Sequence, residues 1–275
     1  MPVIANFTYD RIRVADGVEL NVAVGGSGPP VVLLHGWAMH SGLWGPLVAR
    51  LASRFRVHAV DLPGHGHSAA IDPYTLESVT AAVIAGFDRE SEPLIIIGWS
   101  LGGIIALRWA RIDPDRVVKL ALIATSPRFV ASNDWPHAMA PETLARFGDE
   151  LRVSYRLTML RFLSLQLQGT DDGRAALSSL RQHFFERGKP AEKVLIQALA
   201  VLAAVDLRSE LPAIRQRALA IAGDRDRLVP LAAARWLSIV LPNARLAPVV
   251  GAAHVPFLSH PDAFATALDG FLDER

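Results

Sequence analysis

Ser100 stands in the run Gly98-Trp99-Ser100-Leu101-Gly102, after the apolar residues 94–97 and ahead of a helix-like stretch at 104–110. A serine hydroxyl is a weak nucleophile unless the chain holds it clear of its neighbours and supplies a base. G-x-S-x-G between a strand and a helix meets the first need. The chain turns sharply, the serine is strained at the apex, and glycines two residues either side leave room for the turn. The helix that follows points its first N–H groups at a developing oxyanion. Ser100 is therefore a candidate nucleophile for acyl transfer.

Such a serine needs an acid and then a histidine further along the chain. Residues 218–223, Ala-Leu-Ala-Ile-Ala-Gly, read as a buried parallel strand, and Asp224 and Asp226 follow it where a catalytic carboxylate belongs. A second strand-like run, 246–250, leads into Gly251-Ala252-Ala253-His254. His254 can take the proton from Ser100 and return it to the leaving group while a carboxylate holds the imidazole tautomer. The run Val31-Val32-Leu33-Leu34-His35-Gly36-Trp37 opens from a short buried strand into a loop. That loop is placed to supply the second oxyanion donor, the backbone N–H of Trp37, beside that of Leu101.

Other polar and aromatic residues have plainer readings. His58, His65 and His67 invite a metal, but no cluster of carboxylates or cysteines at ligand spacing accompanies them, and His-Gly-His after a strand suits a hydrogen-bonded turn. His35 reads as a brace for the oxyanion loop. Trp37 and Trp99 adjoin the predicted site and can wall an acyl pocket, whereas Trp44, Trp109 and Trp236 read as packing. Asp206 reads as a cap or turn residue.

The elements around these residues alternate between strand and helix. Residues 9–24 alternate apolar and polar about Asp16-Gly17, which predicts an antiparallel hairpin. Strands at 31–34, 57–61, 94–97 and 119–124 then interleave with helices at 43–52, 76–88 and the stretch after Ser100, the pattern of a doubly wound, mostly parallel sheet. The pattern breaks at Thr125-Ser126-Pro127, and only helical periodicity follows until about residue 205. The expected organisation is an α/β core formed by 1–125 and 206–275, with 126–205 inserted as a helical cap.

The chain has 275 residues, a net charge of +1 and no cysteine, so composition points to no nucleic-acid partner, disulfide framework or metal–thiolate site. Met1-Pro2-Val3-Ile4-Ala5-Asn6 lacks the basic and apolar regions of a signal peptide. Apolar stretches such as 198–205 fall short of the roughly 18 residues that span a bilayer. The expectation is a cytoplasmic monomer that does not engage a membrane.

On these residues the chain resembles the α/β-hydrolase superfamily, with Leu33-Leu34-His35-Gly36-Trp37, Asp61-Leu62-Pro63-Gly64-His65-Gly66-His67-Ser68, residues 98–103 and His254 as landmarks. Within it the chain is similar to the pimeloyl-acyl carrier protein methyl ester esterases of biotin synthesis. That likeness extends into the cap, at Ser126-Pro127-Arg128-Phe129, Asp134-Trp135-Pro136 and Arg161-Phe162-Leu163-Ser164-Leu165-Gln166. The N-terminal hairpin is longer than that pattern.

The resemblance implies Ser100, Asp226 and His254 as the triad, with Asp226 preferred over Asp224 by the family's spacing. It implies Trp37 and Leu101 framing the oxyanion, and Phe162, Leu163, Ser164, Leu165 and Gln166 lining an acyl channel. The implied reaction removes a methyl group from a pimeloyl chain on acyl carrier protein and requires no metal or organic cofactor. Carrier-binding arginines of the family match at Arg161 and Arg174; its other two positions hold Leu157 and Ser178, with Arg156 and Arg181 nearby. From 152 to 193 eight cations face four acids, Asp171, Asp172, Glu186 and Glu192, a basic excess suited to an acidic carrier. A broader carboxylesterase, a lactonase or a carbon–carbon hydrolase could use the same triad on a small soluble substrate. A non-catalytic binder is disfavoured by the intact Ser, Asp and His, and a haloalkane dehalogenase by serine at position 100.

Overall fold

Eight strands run in chain order as β1 (Thr8–Arg13), β2 (Glu19–Gly25), β3 (Pro30–Leu34), β4 (Arg56–Val60), β5 (Leu94–Trp99), β6 (Val117–Ile123), β7 (Arg217–Gly223) and β8 (Ala244–Val249). They appear in a computed structural model that describes residues 7–14, 17–171, 173–187 and 190–274. The strands form one sheet in the order β1-β2-β4-β3-β5-β6-β7-β8. β1–β2 and β2–β4 pair antiparallel, and every pair from β4 to β8 is parallel. Helices cover both faces of the centre, so β3 and β5 are buried at every position and carry unbroken apolar runs. The doubly wound reading of the sequence is the observed fold. Met1 to Asn6 and the hairpin residue Asp16 lie outside the described residues; Gly17 beside it has φ 74°.

The core helices are α1 (Pro46–Ala52), α2 (Leu76–Ala85) and α3 (Leu101–Ile112). The single helix expected over 43–52 is split in two. A 3-10 turn, Ser41–Trp44, ends at Gly45, whose φ of 53° leaves the helical region, and Pro46 starts α1 because its missing N–H costs nothing at a first turn. α2 begins at a Thr75–Ser78 capping box and stops at Gly86, short of the expected residue 88.

Between β6 and β7 lie α4 (Pro141–Val153), α5 (Tyr155–Leu165), α6 (Arg174–Phe184) and α7 (Glu192–Ala204). They form the helical insertion. It starts with short bridges, Val130 to Met139 and Ser132 to Trp135, that helical periodicity does not reveal. Trp135 is buried there; its Nε1 donates to Arg128 O at 2.9 Å, and its ring stands 5.0 Å from Trp236. Trp236 belongs to α8 (Leu231–Val240), which α9 (Pro256–Ser259) and α10 (Pro261–Leu272) follow. Among the described residues no helix is long and apolar enough to cross a membrane.

The cap is latched to the core by a buried ion pair. Asp61, at the end of β4 and fully buried, accepts from Asn21 Nδ2 (2.9 Å), Ser41 N (2.7 Å) and His67 N (3.0 Å). Arg187, just after α6, reaches it at 3.1 Å and also donates to Ser41 Oγ at 2.7 Å and Tyr9 Oη at 3.2 Å. Gly66 has φ 54°, and a Cβ there would fall on the Asp61 carboxylate. Burial pushes the Asp61 carboxyl up, but Arg187 and these N–H donors outweigh it and hold the group below the usual carboxylate range.

Three histidines near this latch are kept neutral by burial: His40 and His65 are each lowered to about 4, and His35 lies lower still. Each takes up a proton in the unfolded chain near pH 6.5 but in the folded one only well below that, so its stabilising effect is complete above pH 6.5 and drains away as pH falls toward 4. The slope is about 1.4 kcal/mol per pH unit for each such group. The urea midpoint is therefore expected to drop steeply from pH 6.5 to 4, and less steeply in His65→Gln. A midpoint that stays flat over that interval would refute the account.

Candidate active site

Ser100 stands between β5 and α3, as the N-cap of the helix, with φ 55° and ψ −113°, a conformation disfavoured for any residue with a side chain. The turn is held by close packing, because a Cβ on Gly102 would run into the carbonyl oxygens of Leu34 and His35 at the end of β3. Leu101, the first residue of α3, has an N–H with no intrahelical acceptor, so it is free to face a ligand oxygen. The loop after β3 lies against the serine: a Cβ placed on Gly36 would be 3.5 Å from that of Ser100.

His35 secures this loop. Its Nε2 accepts from Leu62 N at 2.9 Å, which leaves Nδ1 to donate to Gly36 O at 2.8 Å. The bracing role read from the sequence matches this pair of bonds. Trp37 next to it turns its indole into the cap, where Nε1 donates to Leu195 O at 3.0 Å and the ring packs edge-on against Phe162 at 5.0 Å and Phe147 at 5.4 Å.

The loops after β7 and β8 bring Asp226 and His254 together. Asp226 Oδ2 lies 2.7 Å from His254 Nδ1, and both side chains are almost wholly excluded from solvent. The other carboxylate oxygen accepts from Leu228 N at 2.8 Å and Val229 N at 3.0 Å. With Nδ1 donating to the carboxylate, the neutral imidazole carries its lone pair on Nε2, the form that accepts a proton. Asp224 plays a different part, being exposed, with Oδ1 accepting from Gly251 N at 2.8 Å. Trp99, beside Ser100, donates Nε1 to His254 O at 3.0 Å and stands 6.0 Å from its ring. Ser100 is 8% exposed and His254 2%, so both lie beneath the surface.

The five residues expected to line the channel are spread around the end of α5, since a helix turns about 100° per residue. Phe162 meets Trp37, while Leu163 and Gln166 are buried. Ser164 Oγ donates to Leu160 O and accepts from Arg181, and Leu165 is exposed. The four arginines expected to bind a carrier lie on α5 and α6. Arg161 is mostly exposed with Glu150 at 3.3 Å, Arg156 lies over Phe185 at 5.6 Å, and Arg174 begins α6 exposed. Arg187, one of the eight cap cations, faces inward to Asp61, and Lys193 pairs with Asp72 at 2.6 Å. Asp172 and Lys189 lie outside the described residues. Among the described residues no group of three or more His, Asp or Glu could hold a metal ion.

A profile of the Alpha/beta hydrolase family matches residues 31–267. The chain belongs to that family. Curated relatives of this hydrolase include a protein named pimeloyl-[acyl-carrier protein] methyl ester esterase from Stenotrophomonas maltophilia, 43% identical over 254 residues, 92% of this chain and 96% of the relative. A protein of the same name from Chromobacterium violaceum is 41% identical over 258 residues, 94% of this chain and all of the relative. Among solved structures, an esterase from Exiguobacterium antarcticum superposes with a TM-score of 0.89 at 23% identity, covering 98% of this hydrolase and 99% of that chain. An enol-lactonase from Burkholderia xenovorans gives a TM-score of 0.83 at 26% identity, with 97% and 100% covered.

Proposed function

We propose that this hydrolase cleaves the methyl ester of a pimeloyl chain borne on acyl carrier protein, yielding methanol and a free carboxylate. In this reading Ser100 Oγ attacks the ester carbonyl as His254 Nε2 takes its proton. The N–H groups of Trp37 and Leu101 receive the oxyanion, and His254 then protonates methoxide as it leaves. Water, activated by the same histidine, releases the acid and restores the serine. Asp226 holds the imidazole and stabilises its charged form. The enzyme acts as a monomer in the cytoplasm and uses no cofactor.

One observation carries the choice of substrate. A match over 254 of 275 residues necessarily runs through the cap as well as the core, and the cap is the part that differs among hydrolases sharing a triad. The cap surface suits an acidic carrier: besides the exposed Arg161 and Arg174 it exposes the apolar Val153, Leu157 and Phe185, with Arg156 lying over the Phe185 ring.

Replacing Arg161 and Arg174 with glutamate is expected to raise KM for the carrier-linked methyl ester about tenfold or more, since like charges then face the carrier. The wild-type KM should itself rise with salt, as the screening length shrinks from about 10 Å at 0.1 M to about 3 Å at 1 M. Hydrolysis of p-nitrophenyl acetate should stay near wild type. Equal losses on both esters would indicate damaged cap packing, and no loss on either would remove these arginines from carrier binding. A wild-type enzyme that turns over only the small ester would favour the broader esterase.

A further inference from the structure

Cap residues 166–171 lie directly against the loop that carries His254. Gln166 O accepts from His254 N at 3.0 Å, Thr170 Oγ1 accepts from Ala253 N at 3.1 Å, and Asp171 N donates to Gly251 O at 3.1 Å. From the acid loop, Arg225 Nη1 donates to Gly169 O at 2.9 Å and pairs with Asp171 Oδ1 at 2.5 Å. Gly169 makes this turn with φ 88°, a left-handed conformation that glycine adopts at no steric cost. Ala253 and His254 are 1% and 2% exposed with the cap seated, so a substitution that removes a cap acceptor but keeps its bulk leaves a buried N–H unpaired.

We propose that Thr170 and Arg225 are positioning residues, through which the seating of the cap on the core sets where the His254 imidazole stands. The inference rests on His254 being the general base, and it is independent of which acyl chain the enzyme takes. The core holds His254 by its Nδ1, through Asp226, and by its carbonyl, through Trp99. The backbone N–H groups of Ala253 and His254 are held by the cap. A proton transfer works only within hydrogen-bond reach, and displacement of the base by about 1 Å costs up to a hundredfold in rate. Thr170 is the stronger of the two levers, since its hydroxyl satisfies a buried N–H. The Arg225–Asp171 pair is half-exposed, with side chains 45% and 61% accessible, and contributes less.

The test uses p-nitrophenyl acetate, an ester that needs no carrier, with competent sites counted by titration with a fluorophosphonate. Thr170→Val keeps the shape of the side chain and removes the acceptor. It should lower kcat per titrated site about tenfold and leave KM within about twofold. Thr170→Ser, which restores the hydroxyl, should recover most of the rate. Arg225→Met, at the surface, should lower kcat about threefold. Unchanged per-site kcat in Thr170→Val and Arg225→Met would overturn the proposal, as would a serine variant as slow as the valine one. A residue that only stabilises the fold would change the number of titrated sites and not the rate at each. The carrier-linked methyl ester is absent from this assay, so failure of that substrate assignment would leave these ratios intact.

Discussion

Ser100→Ala is expected to lower turnover of the carrier-linked methyl ester by about a millionfold, as loss of the nucleophile does in serine hydrolases. The elbow should survive the substitution. Ser100 has φ 55°, and alanine meets the same steric demand there as serine, so neither the strain nor the packing of Gly102 against β3 changes. A circular dichroism melt should therefore match wild type while methanol release vanishes. His254→Ala should fall almost as far, because nucleophile and base act as a unit. Residual turnover above about 10% of wild type in Ser100→Ala would reject the nucleophile assignment outright.

Asp226→Asn should lower kcat by about ten-thousandfold, and the hydrogen bonds around the carboxylate say how. Oδ1 accepts from two backbone N–H groups, Leu228 and Val229, so an asparagine would place its carbonyl oxygen there and turn its NH2 toward His254 Nδ1. Nδ1 must then accept, the imidazole proton moves to Nε2, and the nitrogen that should take the serine proton already carries one. Asp224→Asn should cost little, because that carboxylate accepts one bond from Gly251 N and an amide oxygen can do the same. The two effects reversed would make Asp224 the catalytic acid.

The central sheet was legible because its strands are buried on both faces, and so β3, β5 and β7 carry apolar runs too short for helices and bounded by turn residues. The half-exposed edge strand β8 was legible only roughly: it starts at Ala244, ahead of the expected 246, since the exposed Arg245 interrupts the apolar run at its start. The split at Gly45-Pro46 falls inside an otherwise helical pattern, where apolar spacing masked the two breakers. At the site, Ser100, Asp224 or Asp226, and His254 were marked by the loops that follow strands of recognisable composition. The groups that hold them were not. Arg187 meets Asp61 across 126 positions, and no local pattern signals it. Thr170 and Gln166 act on the His254 loop through one hydroxyl and one carbonyl, and a backbone carbonyl is the same in every residue type. Trp99 was visible as a neighbour of the nucleophile, but its bond to His254 O needs the rotamer and not the spacing.

The pairing of Arg187 with Asp61 means that the cap is no interchangeable part. Asp61 follows β4 with its carboxylate organising the turn there, and its compensating charge arrives from the inserted segment. A core grafted with a foreign insertion that lacks this arginine would keep a fully buried carboxylate without its cation, a defect of about 3–5 kcal/mol. Recombination between hydrolases that share this sheet is therefore constrained at one position outside the triad. A chimera should accumulate as folded protein when its incoming segment carries the arginine or when Asp61 is neutralised together with the graft.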